Sequence, residues 1–340
     1  MFTQEELIEA NKGMDIPSIL KVKDLCVDFF LPGGVLRAVN HLDFNLPARR
    51  ITGLVGESGS GKTTLTSAIL RTVSNPGKIT SGSILFEDKD ILKLSDKELK
   101  EFRWRDTAMV FQAAQNCLNP SMTIKEQFIE TYLAHKKDLR VDEITTLSAK
   151  LLKEVRLEPE RVLKSFPHEM SGGMKQRVMI AFARILSPSI LLLDEPTTAL
   201  DVITQDYIFN ILLGIHESTK MTMLLSTHDI AVVAKTCDYM AVMYGGTIVE
   251  MGDIYEMFEF PEHPYTKLLI QAAPSLTGEL KAREAIPGTP PNLMEARKGC
   301  IFANRCPYCE EKCRQAEPEA ITVSEGHTVS CHRVKKGGRV

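Results

Sequence analysis

The stretch RITGLVGESGSGKTTLTSAILR, residues 50–71, decides the fold. Its first part, Arg50 to Val55, is apolar after the arginine, the pattern of a strand buried on both faces. Its last part, from Thr63, is helix-forming. Between them Gly56-Glu57-Ser58-Gly59-Ser60-Gly61-Lys62-Thr63 matches G-x4-G-K-[ST], in the strand-to-helix context that this motif requires. Glycines let such a loop wrap so that backbone N–H groups converge on phosphates, and the helix N-terminus adds partial positive charge. Gly56, Ser58, Gly59, Ser60, Gly61, Lys62, Thr63 and Thr64 are therefore candidate nucleotide-binding residues. Lys62 would reach the β- and γ-phosphates, and the Thr63 hydroxyl would ligate Mg²⁺.

Two more apolar runs extend this pattern: Ile190 to Leu193 and Met221 to Ser226. Both end in polar residues, and ligands of open α/β sheets gather at the carboxyl ends of strands. The first run delivers Asp194 and Glu195. Asp194 would hold Mg²⁺ through water, and Glu195 would polarise the attacking water as general base. Adjacent acids can also merely cap the next helix, a reading that recedes once Lys62 and Thr63 stand opposite. The second run leads to His228, whose imidazole would reach the γ-phosphate, although a single histidine at a strand end is more often structural.

From Ile19 to about Phe260, short β-rich runs alternate with helical patterns, which predicts an α/β domain with a largely parallel sheet. Charged and apolar residues mix at helical spacing between about 95 and 186, predicting a helical subdomain inserted between two halves of the sheet. Residues 1–18 form an N-terminal extension. After Pro261 the composition shifts, with HPYTKLLIQAAP fitting one helix and IPGTPPNL a Pro/Gly-rich linker before a small Cys-rich region within 261–340.

The 340 residues carry 41 Lys+Arg against 44 Asp+Glu, a net −3 too balanced for an electrostatic nucleic-acid binder or a polybasic membrane anchor to be read from composition. Glu5, Glu6 and Glu9 stand where a secretory leader needs positive charge, and no stretch approaches about 18 uncharged apolar residues. A soluble, cytoplasmic protein is expected. Of its eight cysteines, Cys300, Cys306, Cys309, Cys313 and Cys331 crowd the C-terminal end. In such a compartment a cluster is more often metal-binding or redox-active than a disulfide framework.

Met170-Ser171-Gly172-Gly173-Met174-Lys175-Gln176-Arg177 precedes the ILLLDEP strand and resembles the signature sequence of ATP-binding-cassette (ABC) ATPases. Ser171 and the glycines open a helix whose N–H groups can hold a γ-phosphate. The resemblance spans about residues 19–255 and includes Gln112 as Q-loop, Ala199-Leu200-Asp201 as D-loop, His228 as switch histidine, and Phe29 or Phe30 as the ring against adenine. It implies a P-loop ABC ATPase fold with a mixed-sheet core, Gln112 with Thr63 and Asp194 around Mg²⁺, and catalysis by Glu195, His228 and Gln112. It also implies that Ser171, Gly172, Gly173 and Gln176 serve nucleotide bound to a second cassette in a sandwich dimer. ESGSGKT, CLNPSMTIKEQ, DEPTTALDV and HPYTKLL narrow the resemblance to ATP-binding subunits of oligopeptide/dipeptide importers. That implies a paralogous second ATPase subunit, two membrane-spanning permeases, an extracytoplasmic binding protein reached indirectly, no nucleic acid, and residence on the cytoplasmic face of the cell membrane. Two departures stand out: Ala113-Ala114 replaces the usual Asp-Pro after Gln112, and Met170 the commoner Leu. Neither falls on a residue assigned to chemistry, so an active ATPase with altered docking to its membrane partner is expected.

The cysteine spacing, Cys300-x5-Cys306-x2-Cys309-x3-Cys313-x17-Cys331, leaves three readings open. Zinc favours two closely spaced pairs, and only Cys306/Cys309 has that spacing. An iron–sulfur centre tolerates irregular loops, and free or oxidised thiols are the third. The family resemblance implies a 4Fe-4S cluster on Cys300, Cys306, Cys313 and Cys331, with Cys309 extra or substituting for one of them. A structural staple is the plainer role and redox sensing the alternative. For the whole chain, a soluble cassette ATPase of repair or translation, a non-hydrolysing partner subunit, and an importer of nickel or oligosaccharides are the competing readings.

Overall fold

The computed structural model describes residues 17–112, 117–198, 200–273, 286–295 and 297–335. Two sheets organise it. The hairpin β1 (Ser18–Leu31) and β2 (Gly34–Pro47) joins β4 (Gly77–Phe86) and β5 (Lys89–Asp90) in an antiparallel sheet of order β2-β1-β4-β5. The main sheet contains β3 (Ile51–Val55), β6 (Thr107–Val110), β7 (Ile190–Asp194), β8 (Thr222–Thr227), β9 (Tyr239–Tyr244) and β10 (Thr247–Asp253). Its order is β11-β12-β10-β9-β3-β8-β7-β6, where β11 is Ile321–Ser324 and β12 is His327–Val329. The strands from β9 to β6 run parallel, and β10, β12 and β11 add antiparallel pairs, so the sheet is mixed.

Side-chain alternation along the parallel strands builds two cores, because successive residues of a strand face opposite sides. Ile51, Val55, Leu191, Leu193, Met223 and Leu225 face one core with the helices α3 (Ile124–His135), α4 (Val141–Glu154), α6 (Gly172–Ala183) and α7 (Val202–Thr219). Leu54, Ile190, Leu192 and Leu224 face the other, packed against α1 (Lys62–Ile69) and the antiparallel sheet. Burial on both faces explains why β3 and β7 read as unbroken apolar runs. Each fully buried aliphatic chain there contributes about 1.5–3 kcal/mol.

Within residues 95–186 the helices α2 (Asp96–Arg105), α3, α4, α5 (Pro159–Lys164) and α6 are interrupted by β6, which pairs in parallel with β7. Ser95/Glu98 and Thr123/Glu126 start α2 and α3 with capping boxes, satisfying N–H groups that a first helical turn leaves free. Met170 lies in the core at 5% exposure, where an unbranched side chain fills the space as Leu would. Ala113-Ala114 lies outside the described residues.

Beyond α8 (Ile230–Thr236) and α9 (Ile254–Glu259), the HPYTKLL segment forms α10 (Pro264–Ala272). The Pro/Gly-rich residues 286–291 contain no helix or strand, and the cysteine-bearing stretch that follows includes only the short α11 (Glu311–Gln315). The chain then returns to the main sheet: β12 pairs with β10 through Glu250 opposite Val329. His327 fixes that return, with Nε2 2.8 Å from Glu250 Oε1 and Nδ1 3.2 Å from Glu256 Oε2. Among the described residues no helix is long and apolar enough to cross a membrane.

Candidate nucleotide site

The phosphate loop turns between β3 and α1 under close constraints. Gly56 has φ +155°, and a Cβ there would lie 2.1 Å from the Met243 carbonyl oxygen. Gly61 has φ +106°, and its Cβ would stand 2.5 Å from the Ala38 oxygen. Glycine is required at both for reasons of backbone conformation and space. Lys62 opens α1 with its ammonium folded onto the loop, donating to Gly56 O at 2.8 Å and Glu57 O at 3.1 Å. Burial lowers its pKa, while Glu195, Asp194 and Glu57 push it back up.

The end of β7 faces this lysine. Asp194 is 2% exposed, and its Oδ1 is buried without a hydrogen-bond partner. Burial raises its pKa against the pull of the Thr63 and Ser226 hydroxyls. A buried carboxylate oxygen with an open valence, beside a threonine hydroxyl, is an oxygen set that suits Mg²⁺.

Glu195 sits at φ +43°, a left-handed conformation that strains a residue with a side chain by about 1–3 kcal/mol. The strained turn aims its carboxylate at three partners. Thr198 Oγ1 donates at 2.9 Å and Gln112 Nε2 at 3.3 Å, both to Oε2, and His228 Nδ1 lies 3.2 Å from Oε1. Burial works to raise the Glu195 pKa, but the hydrogen bonds from His228 and Thr198 outweigh it, and the net shift is downward. Glu195 is therefore ionised at neutral pH.

These groups line one cavity of about 780 Å³, with Ser58 through Thr64, Gln112, Glu195 and His228 on one side and Phe29, Leu31, Leu36 and Ala38 on another. Phe29 forms its wall. Phe30 is 47% exposed and instead lies under the Lys78 ammonium, 5.8 Å from its ring centroid. Leu293, the last residue of the Pro/Gly-rich IPGTPPNL stretch, also reaches this wall.

The signature residues stand elsewhere. Ser171 caps α6, accepting from Met174 N at 3.3 Å, while Gly173 packs against Thr204 and Gln176 is buried with Nε2 unpartnered. Asp201 caps α7 through Thr204 N at 2.9 Å and Thr204 Oγ1 at 2.7 Å. None of Ser171, Gly172, Gly173, Gln176 or Asp201 lines the cavity. Ala199 lies outside the described residues. Beside Asp201, Val202 and Ile203 are 79% and 83% exposed.

All the described cysteines are free thiols. Cys300 and Cys313 are joined by a backbone bond, Cys300 N to Cys313 O, at 2.7 Å. Burial first, and then the thiols of Cys313, Cys331 and Cys306, push the Cys300 pKa up to about 11. Burial likewise raises Cys306 and Cys331, each of which also feels Cys313. Cys309 adjoins the group at Cys306, whose pKa it helps to raise, with its own Sγ directed at Glu310 O at 3.6 Å. Cys300, Cys306, Cys313 and Cys331 thus share one neighbourhood, with Cys309 at its edge. Among the described residues, however, no three His, Cys, Asp or Glu side chains are disposed to hold a metal ion, so the thiols as placed do not close round one.

The sequence reading missed Thr198, Ser226, Leu293 and the pair Glu57–Arg305 described below. Only Thr198 carried a local signal, a hydroxyl three residues after Glu195.

A phosphate loop, an acidic strand end and a histidine converging on one cavity define a P-loop ATPase, and the signature helix makes it one of the ABC type. Family models agree: that of the ABC transporter matches residues 39–198, and that of the oligopeptide/dipeptide transporter C-terminal region matches 249–313. The dipeptide transport ATP-binding protein DppD of Caldanaerobacter subterraneus subsp. tengcongensis is 40% identical over 319 residues, covering 94% of this chain and 98% of that protein. The oligopeptide transport ATP-binding protein OppD of Escherichia coli K12 is 41% identical over 302 residues, covering 88% and 89%. The ABC transporter cassette MJ0796, solved as a dimer, superposes with a TM-score of 0.62 at 28% identity over 69% of this chain and 98% of its own. The chain belongs to the family of ATP-binding subunits of oligopeptide/dipeptide ABC transporters.

Proposed function

We propose that this chain hydrolyses ATP to energise an importer of di- and oligopeptides. The observation that carries the reading is the Glu195 carboxylate, ionised and held between Gln112, Thr198 and His228 over the phosphate loop. In this reading Glu195 takes the proton of the attacking water, and Gln112 and His228 hold the water and the γ-phosphate in line with it. Lys62 leaves its loop carbonyls for the β- and γ-phosphates. Thr63, Asp194 and Gln112 hold Mg²⁺, which supplies neutralisation of phosphate charge. Phe29 stacks on the base.

Because Ser171, Gly172, Gly173, Gln176 and Asp201 lie off the cavity, they serve the nucleotide of a second cassette, and a second cassette completes this site. The exposed Val202 and Ile203 beside Asp201 support an interface there. ATP favours the closed pair of cassettes through its greater affinity for that state, and hydrolysis reopens it. The partner is a paralogue, and attachment to the cytoplasmic face of the membrane runs through two permease subunits served by an extracytoplasmic binding protein.

The domain reading is a cassette over 19–260, with its helical subdomain in 95–186, followed by an accessory region over 261–340. In that region a 4Fe-4S cluster on Cys300, Cys306, Cys313 and Cys331 is supported by the shared neighbourhood of these thiols, where burial first and neighbouring thiols second raise the pKa of Cys300, Cys306 and Cys331, a cost to the thiolate that ligation to iron would relieve. Co-purification from membranes tests both readings. Permease subunits, peptide-stimulated ATP turnover, and iron with labile sulfide in one sample are expected. A chain recovered without permeases would overturn the transport reading, and a fully active sample free of iron would overturn the cluster.

A further inference from the structure

A buried arginine of the tail grips the phosphate loop. Arg305, whose side chain is 4% exposed, meets the Glu57 carboxylate in a fork, Nη1 to Oε2 at 2.6 Å and Nη2 to Oε1 at 3.0 Å. Its remaining N–H groups donate to Tyr244 Oη at 3.2 Å, Pro287 O at 2.6 Å and Ile286 O at 3.3 Å. All five guanidinium donors are therefore used, which fixes the side chain in one pose. The loop is also held from α10, where Tyr265 Oη accepts from Glu57 N at 3.0 Å. Phe302 anchors the arrangement, 1% exposed and packed with ring centroids 5.2 Å from Tyr244 and 5.3 Å from Tyr265. Glu57 matters to the site because its carbonyl, with that of Gly56, receives the Lys62 ammonium.

The same segment braces the opposite end of the cavity. Leu293 lines it near Phe29, and its carbonyl accepts from Arg37 N at 3.2 Å. The Met294 methyl would stand 3.3 Å from a Cβ at Gly34, at the tip of the hairpin that carries Phe29. Arg297 donates to the Gly245 carbonyl of the β9–β10 turn.

We infer that residues 286–295 and 297–305 form a working part of the nucleotide site: Arg305 is a positioning residue that shapes the phosphate loop through Glu57, and Leu293 flanks the base. This rests on the reading of the cavity as an ATP site. A bidentate, desolvated ion pair gives orientation as well as attraction. It ties the loop that receives Lys62 to a residue that neighbours Cys306 in sequence.

Equilibrium binding of Mg²⁺-ATP and of inorganic tripolyphosphate to the full-length chain tests this, with thermal melting to establish folding. Arg305→Lys and Glu57→Gln are each expected to weaken both ligands about tenfold. The double variant should be no weaker than either alone, because both break one contact. Leu293→Ser should weaken ATP and leave tripolyphosphate unchanged. Wild-type affinity in a folded Arg305→Lys protein, or losses that multiply in the double variant, would overturn the inference. A wild-type chain that binds tripolyphosphate but not ATP would instead overturn the reading of the cavity as an ATP site.

Discussion

The phosphate-loop site and the cysteine tail both gather reactive groups in partly buried surroundings, yet they are built in opposite ways. Around the loop, charge is balanced inside the site: Lys62 faces Asp194 and Glu195, and Glu195 is further held by His228 and Thr198. In the tail, burial first and neighbouring thiols second drive Cys300, Cys306 and Cys331 toward the protonated form, and the pull of Arg333 on Cys331 does not reverse this. The first site is preorganised for an anionic ligand and a hard cation. The second is neutral as it stands, and its contribution to the first passes through Arg305, not through a thiol.

The largest effect that would separate the two regions is at Lys62. Lys62→Ala removes the one ammonium that lines the loop cavity among the described residues and is expected to weaken ATP binding about a hundredfold, or about 2.7 kcal/mol. Nucleotide titration of the purified chain reads this, and an unchanged affinity would break the comparison at its root. Next is Thr198→Val, which removes one of the two hydrogen bonds that lower the Glu195 pKa. ATP turnover at neutral pH should fall about tenfold, and its acidic limb should move to higher pH, because a base with a raised pKa is protonated earlier. A pH–rate profile with an unmoved acidic limb would remove Thr198 from the site.

How much of this was legible depended on whether partners lie close in sequence. Gly56 to Thr64 could be read as one loop because strand, turn and helix are contiguous, and Asp194-Glu195 because an apolar strand points them. Phe29 was separable from Phe30 only once the hairpin register placed one ring in the cavity and the other under Lys78. The antiparallel sheet of β1, β2, β4 and β5 was not anticipated, since its strands mix buried and exposed positions without a regular period and lack the continuous apolar runs of β3 and β7. Strand β6 was hidden among helical patterns because its four residues are too few to establish a period. Glu57 and Arg305 stand 248 residues apart, and nothing at either position announces the other.

Smaller effects sharpen the account of the tail. Cys300→Ser should lower the melting temperature by about 1–2 °C, the shift from about 1 kcal/mol lost in a chain of this size. Cys309→Ser should shift it less, since Cys309 acts on Cys306 and not on Cys300 or Cys331. Equal shifts would mean that the four thiols do not act together. The smallest effect concerns pH. Burial disfavours the charged form of His327, but Glu250 and Glu256 outweigh it and raise its pKa. A raised histidine pKa stabilises the fold fully below the unfolded value near 6.5, and the contribution is lost as pH rises through the folded value. Protection of β11 and β12 against hydrogen exchange, taken relative to the intrinsic rate at each pH, should therefore fall as pH rises above about 6.5 in wild type and not in His327→Gln. Identical pH dependence in both would dismiss His327 as the tie.

The most direct test of the account is the steady-state ATP turnover of Glu195→Gln in the assembled complex, measured beside its ATP affinity. Retained ATP binding with turnover reduced at least about a hundredfold is the result expected of a lost general base. Turnover equal to wild type would contradict the assignment of Glu195, and with it the reading of the β7 end as the catalytic edge of the site.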